Sequence, residues 1–153
     1  MTFIDNKIPP PIIAAICAAF AWHISQLTPE LTLLWEPRVV IAIAIGLLGL
    51  TLDIVSLLAF RRADTTINPL SPEKANTVVQ AGIYRLTRNP MYLGLALILF
   101  GFCIYLGNPL SILAVIAFIA YITRFQIIPE ERALTEKFGQ SYTQYRNSVR
   151  RWV

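Results

Sequence analysis

The chain has 153 residues, of which 56% are hydrophobic and only 14% are charged, and its net charge is +4. Soluble domains have roughly 45–50% apolar and about 25% charged residues. The composition therefore excludes an ordinary soluble domain and indicates a membrane protein. The length suits one compact unit without a second soluble domain.

Four apolar runs follow one another along the chain. A spanning helix needs about 20 apolar residues, within a range of about 17–25. The second and fourth runs meet this length, and the first and third reach it with flanking residues, because proline is tolerated in a first helical turn. We predict an all-α integral membrane protein with about four transmembrane helices, at residues 12–27, 39–60, 90–106 and 109–128.

The first run is interpreted as a helix and not as a cleaved signal peptide. The segment before it, "MTFIDNK", has no net positive charge, and prolines occupy the place where an apolar region should begin. A model with three crossings would leave this run peripheral and move the N-terminus to the other side of the membrane.

Basic residues are distributed unevenly among the connecting segments. The predicted loop 61–89 and the predicted tail 129–153 each carry five, whereas the link 28–38 contains Arg38 alone. The positive-inside rule places loop and tail in the cytoplasm, and four crossings place both termini there. Anionic lipid explains the basic loops, so we expect membrane lipids as partners and no nucleic acid.

The third and fourth runs are joined only by "GNP". So short a turn predicts an antiparallel helical hairpin, which brings the segment before Pro90 together with the tail. In the tail, five apolar or aromatic residues recur at helical spacing, and Gly139 is expected to divide the stripe into two helices. The stripe suits either an interfacial helix or a lid over the mouth of the hairpin: Leu134, Phe138, Tyr142, Tyr145 and Val149.

Ionisable side chains gather at the hairpin mouth. Arg88 precedes an Asn-Pro step that disfavours helical geometry, and Glu130 and Glu131 follow the fourth run. Arg88 is expected to face Glu130, either as an ion pair or as a bidentate site for a ligand carboxylate. Asp53 and Arg124 lie inside apolar runs, where such residues pair with each other or face a cavity.

The segments "TTINPLSPEKANTVVQAGIYRLTRNPMYLG" and "PEERALTEKFGQSYTQYRNSVRRW" carry a resemblance. Together they resemble the isoprenylcysteine carboxyl methyltransferase family and its bacterial relatives over roughly residues 61–151. Phospholipid N-methyltransferases share a similar tail. Asn89 stands where eukaryotic members carry histidine, so no histidine at this position can act as a base. "GLLG" at 46–49 is interpreted as helix packing and not as a cofactor-binding loop.

The resemblance implies a small helical membrane enzyme that binds S-adenosylmethionine and releases S-adenosylhomocysteine. It implies that Arg88 and Glu130 are catalytic and that the tail is a lid. We expect a bacterial inner or plasma membrane location with the site on the cytoplasmic face. The residues expected to bind the cofactor are Tyr84, Arg88, Asn89, Pro90, Tyr92, Leu93, Gly94, Glu130, Glu131, Leu134, Phe138, Tyr142 and Tyr145.

Several functions remain open at this point. The resemblance favours carboxyl O-methylation of an isoprenylcysteine-like or other lipophilic acceptor, which needs no base. Methylation of an amine would need one, and Glu130 or Glu131 is then the candidate. A nicotinamide-dependent membrane reductase and a non-enzymatic membrane protein are the alternatives. We expect no metal, because Cys17 and Cys103 lie inside apolar runs and His23 is the single histidine.

Overall fold

The computed structural model describes residues 7–63 and 77–153. This part of the chain is helical and contains no strand, which confirms the all-α prediction. A short helix expected from Pro72 lies outside the described residues. The principal helices are α1 (Pro10–Leu27), α2 (Arg38–Arg62), α3 (Pro90–Leu106), α4 (Ile112–Ile122), α5 (Ile128–Phe138) and α6 (Gln140–Ser148).

Within residues 7–63 and 77–153, three stretches of helix are long and apolar enough to cross a membrane. They are Pro10–Leu27, Arg38–Arg62 and Pro109–Phe138. α3 is also apolar but has 17 residues, one short turn less than a typical span. The membrane character of the chain is therefore confirmed, while the fourth crossing stays a prediction.

The helix of the fourth run extends beyond residues 109–128, the range predicted to cross the membrane. It continues through a π-helical turn at Thr123–Ile127 directly into α5. Pro129 has no N–H to donate and its ring would clash inside regular α-helix. The wider turn just before it changes the hydrogen-bond spacing, so the helix passes the proline without breaking. Gly139, with φ +56°, then separates α5 from α6 as predicted.

α1 packs against both α3 and α4, and the short link between α3 and α4 is fastened to its end. Gly107 adopts a φ of +71°, which ends α3. The Asn108 side chain then accepts a hydrogen bond from the N–H of Leu110 at 3.0 Å. Its amide group donates to the Thr28 carbonyl and hydroxyl oxygens at 2.8 and 2.9 Å. Asn108 therefore fixes the turn that positions α3 beside α4.

α2 and α3 approach each other through glycine. A methyl group on Gly49 would lie 2.5 Å from the carbonyl oxygen of Gly94, and one on Gly101 would lie 2.7 Å from that of Ala42. Contacts this close are possible only without side chains, which is the small-residue packing typical of membrane helices. This confirms the helix-packing interpretation of "GLLG", and it places Asp53 of α2 beside Gly94 of α3.

Gly49→Ala is expected to destabilise the protein, because the new methyl group must push α2 and α3 apart. Overpacking of this kind costs roughly 1–3 kcal/mol. Gly46→Ala is the matched control, since a methyl group there meets no atom within 4 Å. The thermal unfolding midpoint in detergent measures both. Equal midpoints for the two variants would contradict close packing at Gly49.

Candidate functional site

A cavity of about 540 Å³ opens among α2, α3, α5 and α6. The start of α1 and the residues before the 3₁₀ helix Gly82–Arg85 complete its wall. The wall is mostly apolar, with a few ionisable groups. Residues that line it are Pro9, Pro10, Pro11, Asp53, Ile54, Leu57, Phe60, Thr77, Val78, Val79, Tyr84, Arg88, Asn89, Met91, Tyr92, Leu95, Ile127, Glu130, Glu131, Leu134, Tyr142 and Tyr145.

Arg88 reaches this cavity from the segment just before α3. Asn89 is non-helical, with φ −130° and ψ 55°, as expected for the residue before a proline, and α3 begins at Pro90. The backbone N–H of Arg88 donates to the Arg150 carbonyl at 3.0 Å instead of to a helical partner. Its guanidinium is buried, with 9% of the side chain exposed.

Arg88 pairs with Glu131, not with Glu130 as predicted. Its Nη2 lies 3.2 Å from Glu131 Oε1. Arg151 binds the same carboxylate with two hydrogen bonds, from Nε at 2.9 Å and from Nη2 at 2.8 Å. The reason is the direction of the two neighbours on α5, whose side chains point about 100° apart around the helix. Glu131 therefore faces the two arginines.

Glu130 points toward α3 instead. The Tyr92 hydroxyl donates a hydrogen bond to Glu130 Oε1 at 2.5 Å. Both side chains line the cavity, so this carboxylate faces the cavity without an arginine to neutralise it. Among the described residues, Glu130 forms no salt bridge. A cationic ligand group or a proton can therefore occupy this position.

The C-terminal strap, residues 150–152, fastens the Arg88 segment in place. The Arg151 carbonyl accepts hydrogen bonds from Asn89 Nδ2 at 2.9 Å and from the Thr87 hydroxyl at 3.3 Å. The Trp152 indole donates to the Thr123 hydroxyl at 3.2 Å. The strap thus connects the segment before α3 to the π-helical turn, and it delivers the Arg151 side chain to Glu131.

Two buried ionisable groups in the cavity wall have hydrogen-bonding capacity left over. Arg88 Nε and Nη1 have no hydrogen-bond partner within the described parts of the chain, and the same holds for Asp53 Oδ1. Buried polar groups without partners cost free energy. Arg88 and Asp53, one cation and one anion, therefore line the same cavity, and each has side-chain atoms without a partner in the described parts of the chain.

Three tyrosines cover the cavity on the side of the strap. The Tyr145 hydroxyl donates to the Tyr84 carbonyl at 2.7 Å, which ties α6 to the 3₁₀ helix. Burial, with the charge of Glu131 as the next cause, raises the pKa of Tyr142 to about 12. Burial also raises the pKa of Tyr84 and Tyr145 above the ordinary value. These hydroxyls stay protonated near neutral pH and serve as hydrogen-bond donors, not as bases.

The structure brings most of the predicted site residues together. Those that line the cavity are Tyr84, Arg88, Asn89, Tyr92, Glu130, Glu131, Leu134, Tyr142 and Tyr145. Four others do not line it. Pro90 is buried at the start of α3, and Gly94 packs against α2. The Leu93 N–H donates to the Asn89 carbonyl, and Phe138 lies beside Lys137 at the end of α5.

Sequence reasoning did not identify two residues of the candidate site: Asp53 was expected either to pair with Arg124 or to face a cavity, and Arg151 was not predicted at all. Asp53 does not pair with Arg124, whose guanidinium carbon lies 5.3 Å from the centre of the Phe125 ring. Asp53 lines the cavity instead, and its place inside an apolar run was the signal. Arg151 gave no comparable signal, because it lies 20 residues after Glu131 in a segment without regular structure.

By its fold and cavity, the protein belongs to the class of helical membrane proteins in which C-terminal helices cover a ligand-sized cavity. Its sequence matches a protein-family model described as "Phospholipid methyltransferase" over residues 37–141. The match covers more than half of the chain, so the chain belongs to this family.

Individual relatives support the resemblance to isoprenylcysteine carboxyl methyltransferases, which is thereby confirmed. Protein-S-isoprenylcysteine O-methyltransferase A of Arabidopsis thaliana is 36% identical over 58% of this chain and 45% of its own length. A probable protein-S-isoprenylcysteine O-methyltransferase of Oryza sativa subsp. indica is 28% identical over 90% of this chain and 72% of its own length.

A third relative, an uncharacterized protein of Haemophilus influenzae, is 51% identical over 41% of this chain and 100% of its own length. The chain spans about half the length of the Arabidopsis relatives that it matches. No solved structure matches the chain.

Proposed function

We propose that the protein transfers a methyl group from S-adenosylmethionine to a lipophilic acceptor at the cytoplasmic face of a bacterial membrane. The observation that carries this proposal is the buried Arg88 guanidinium, in which two nitrogens have no partner among the described residues and which lines a cavity together with residues of the tail. Membership of a methyltransferase family supports the reaction type. The basic loop and tail support the cytoplasmic orientation, with both termini on that side.

The size and the residues of the cavity fit this cofactor. The cavity volume of about 540 Å³ lies within the range of about 300–1,000 Å³ that is common for small-molecule and cofactor sites. Arg88 Nε and Nη1 have no hydrogen-bond partner within the described residues and lie on different edges of the guanidinium, so each would donate separately to an oxygen of the ligand. Glu130 is the acceptor for a ligand ammonium group. Tyr84, Tyr92 and Leu134 are the apolar and aromatic surfaces for a nucleoside.

When bound, the cofactor would supply an electrophilic methyl group on a cationic sulfur; an electron pair of the acceptor forms the new bond to the methyl carbon, and the sulfur keeps the electrons of the broken C–S bond and becomes neutral. The chain's task is to align the two reactants and to exclude water. Arg88 sets the orientation from one wall, with its own position fixed by Glu131 and by the strap. Tyr142 and Tyr145 shield the cavity from the aqueous side.

The acceptor is expected to enter from the lipid. Ile54 lines the cavity and is also 49% exposed on the outer face of α2. Pro11 at the start of α1 is likewise exposed and lines the cavity. An apolar chain passing between these two positions would remain in contact with lipid while its head group reached Arg88 and Glu130.

A carboxylate acceptor is the favoured class, as in the relatives named isoprenylcysteine O-methyltransferases. It needs no base, and the methyl ester forms directly. An amine acceptor is the second candidate, and the specific observation in its favour is Glu130, which faces the cavity without an arginine partner. Glu130 would take the proton that an attacking ammonium group must lose.

Calorimetric titration of the purified protein in detergent with S-adenosylhomocysteine tests the proposal. We expect binding in the micromolar range and none of comparable strength for NADPH. Selective NADPH binding would instead indicate a membrane reductase. Absence of binding by either compound, with a folded protein, would contradict the assignment and favour a non-enzymatic membrane protein.

A further inference from the structure

Asp53 is the ionisable group of the cavity that the proposed mechanism leaves unused. It lies nine residues before the end of α2, about 13 Å from Arg62 along the helix axis. Its Oδ1 is buried against Gly94, in a place that any side chain at 94 would fill. Among the described residues this oxygen has no hydrogen-bond donor.

The surroundings of Asp53 belong to the membrane side of the cavity. Ile54 and Leu57 follow it on α2, and Leu95 lies beside Gly94 on α3; all three line the cavity and are apolar. Among the described residues of α2 that line the cavity, only Asp53 has a polar side chain. The groups that suit a polar cofactor, namely Arg88 and the tail tyrosines, belong to the other walls.

A carboxylate on this apolar side is costly when nothing compensates it. No arginine or lysine within the described residues forms a salt bridge with Asp53. Gly94 leaves the space that Asp53 Oδ1 occupies between α2 and α3, and the Asp53 side chain also lines the cavity, where the head of a molecule arriving from the lipid would meet it. The compensating donor is therefore expected on the acceptor.

We propose that Asp53 is a specificity-determining residue, which accepts a hydrogen bond from an N–H group in the head of the lipophilic acceptor. The inference rests on the proposed function and adds a requirement to it: the acceptor carries an N–H donor close to the methylated group. Two molecular classes have this chemistry, the amide of an S-prenylated cysteine and the ammonium group of an aminophospholipid.

Matched pairs of probes distinguish the two sources. N-acetyl-S-farnesylcysteine and S-farnesylthiopropionic acid share the prenyl thioether and the carboxylate, but only the first has an N–H. Phosphatidylethanolamine and phosphatidylcholine share the phosphodiester and the cationic nitrogen, but only the first has N–H groups. Equilibrium binding of each probe to protein saturated with S-adenosylhomocysteine is measured in detergent micelles, with methyl transfer as a second readout.

We expect the wild type to bind the N–H member of one pair about 10- to 100-fold more tightly than its counterpart. Asp53→Ala, which removes the acceptor oxygens, is expected to abolish this preference while the affinity for S-adenosylhomocysteine changes by less than about threefold. Thr51→Ala, on the exposed face of the same helix, is the control and is expected to keep the preference.

Three results would overturn the inference. An Asp53→Ala variant that keeps the wild-type preference would show that the carboxylate does not accept a hydrogen bond from the N–H group. If the Asp53 variant also loses affinity for S-adenosylhomocysteine, Asp53 binds the cofactor and not the acceptor. If the wild-type protein binds both members of each pair equally well, the acceptor does not need an N–H donor. Failure of the wild type to bind S-adenosylhomocysteine at all would overturn the proposed function itself, so the two failures are distinguishable.

Discussion

Arg88→Ala is expected to weaken S-adenosylhomocysteine binding by roughly 30-fold to several thousand-fold and to abolish methyl transfer. Truncating one partner of a buried, hydrogen-bonded charge pair costs about 2–5 kcal/mol, which gives this range. Arg88 Nε and Nη1 are buried donors of the cavity wall without partners in the described chain, so their removal takes away the proposed ligand contact directly. Calorimetric titration in detergent measures the affinity.

The variant is expected to fold, because Arg151 still binds Glu131 through two hydrogen bonds. Arg88→Lys keeps the charge but not the planar fork, and we expect it to recover only a small part of the affinity. Arg85→Ala is the matched control, since Arg85 lies three residues earlier and is exposed. An Arg88→Ala protein that binds within threefold of wild type would exclude Arg88 from the binding site.

Glu131→Ala is expected to produce the largest loss of stability. Glu131 is buried and is the shared partner of Arg88 and Arg151. Its removal leaves the buried Arg88 guanidinium without a counter-charge, and breaking a buried pair in this way costs about 3–5 kcal/mol. We expect the thermal unfolding midpoint in detergent to fall by roughly 10 °C.

Two further variants separate this effect from a general loss of negative charge. Glu136→Ala removes an exposed carboxylate of the same helix, and its effect is expected to stay within about 0.5 kcal/mol. Arg151→Ala should cost less than Glu131→Ala, because the Arg151 side chain is 37% exposed and its ion pair is partly screened. Equal unfolding midpoints for Glu131→Ala and Glu136→Ala would contradict the central role of Glu131.

The elements of this fold could be predicted from local signals. Pro90 begins α3, Gly139 ends α5, and Gly46 and Gly49 lie on the face of α2 that packs against α3. Each signal depends on the chemistry of a single residue type, such as the missing N–H of proline or the missing side chain of glycine. For this reason single residues were sufficient to locate the start of α3 and the break between α5 and α6, whereas the continuous helix from Pro109 to Phe138 was not predicted.

Partners in the site could not be predicted in the same way. Glu130 and Glu131 are neighbours in the sequence, and only the rotation of α5 decides which of them meets Arg88. That rotation depends on the π-helical turn before Pro129, which sequence periodicity did not reveal. The contact between Asp53 and Gly94 depends on the crossing of two helices, and the contact between Arg151 and Glu131 depends on an irregular segment.

Methyl transfer from labelled S-adenosylmethionine into a membrane lipid extract is the decisive test of the proposed function. Wild-type protein in detergent is incubated with both, and the organic phase is analysed by mass. We predict a labelled lipophilic product whose label is released as methanol by mild alkali, as for a carboxyl methyl ester; alkali-stable label would indicate N-methylation. The absence of label in the organic phase, under conditions where S-adenosylhomocysteine binds, would contradict the account.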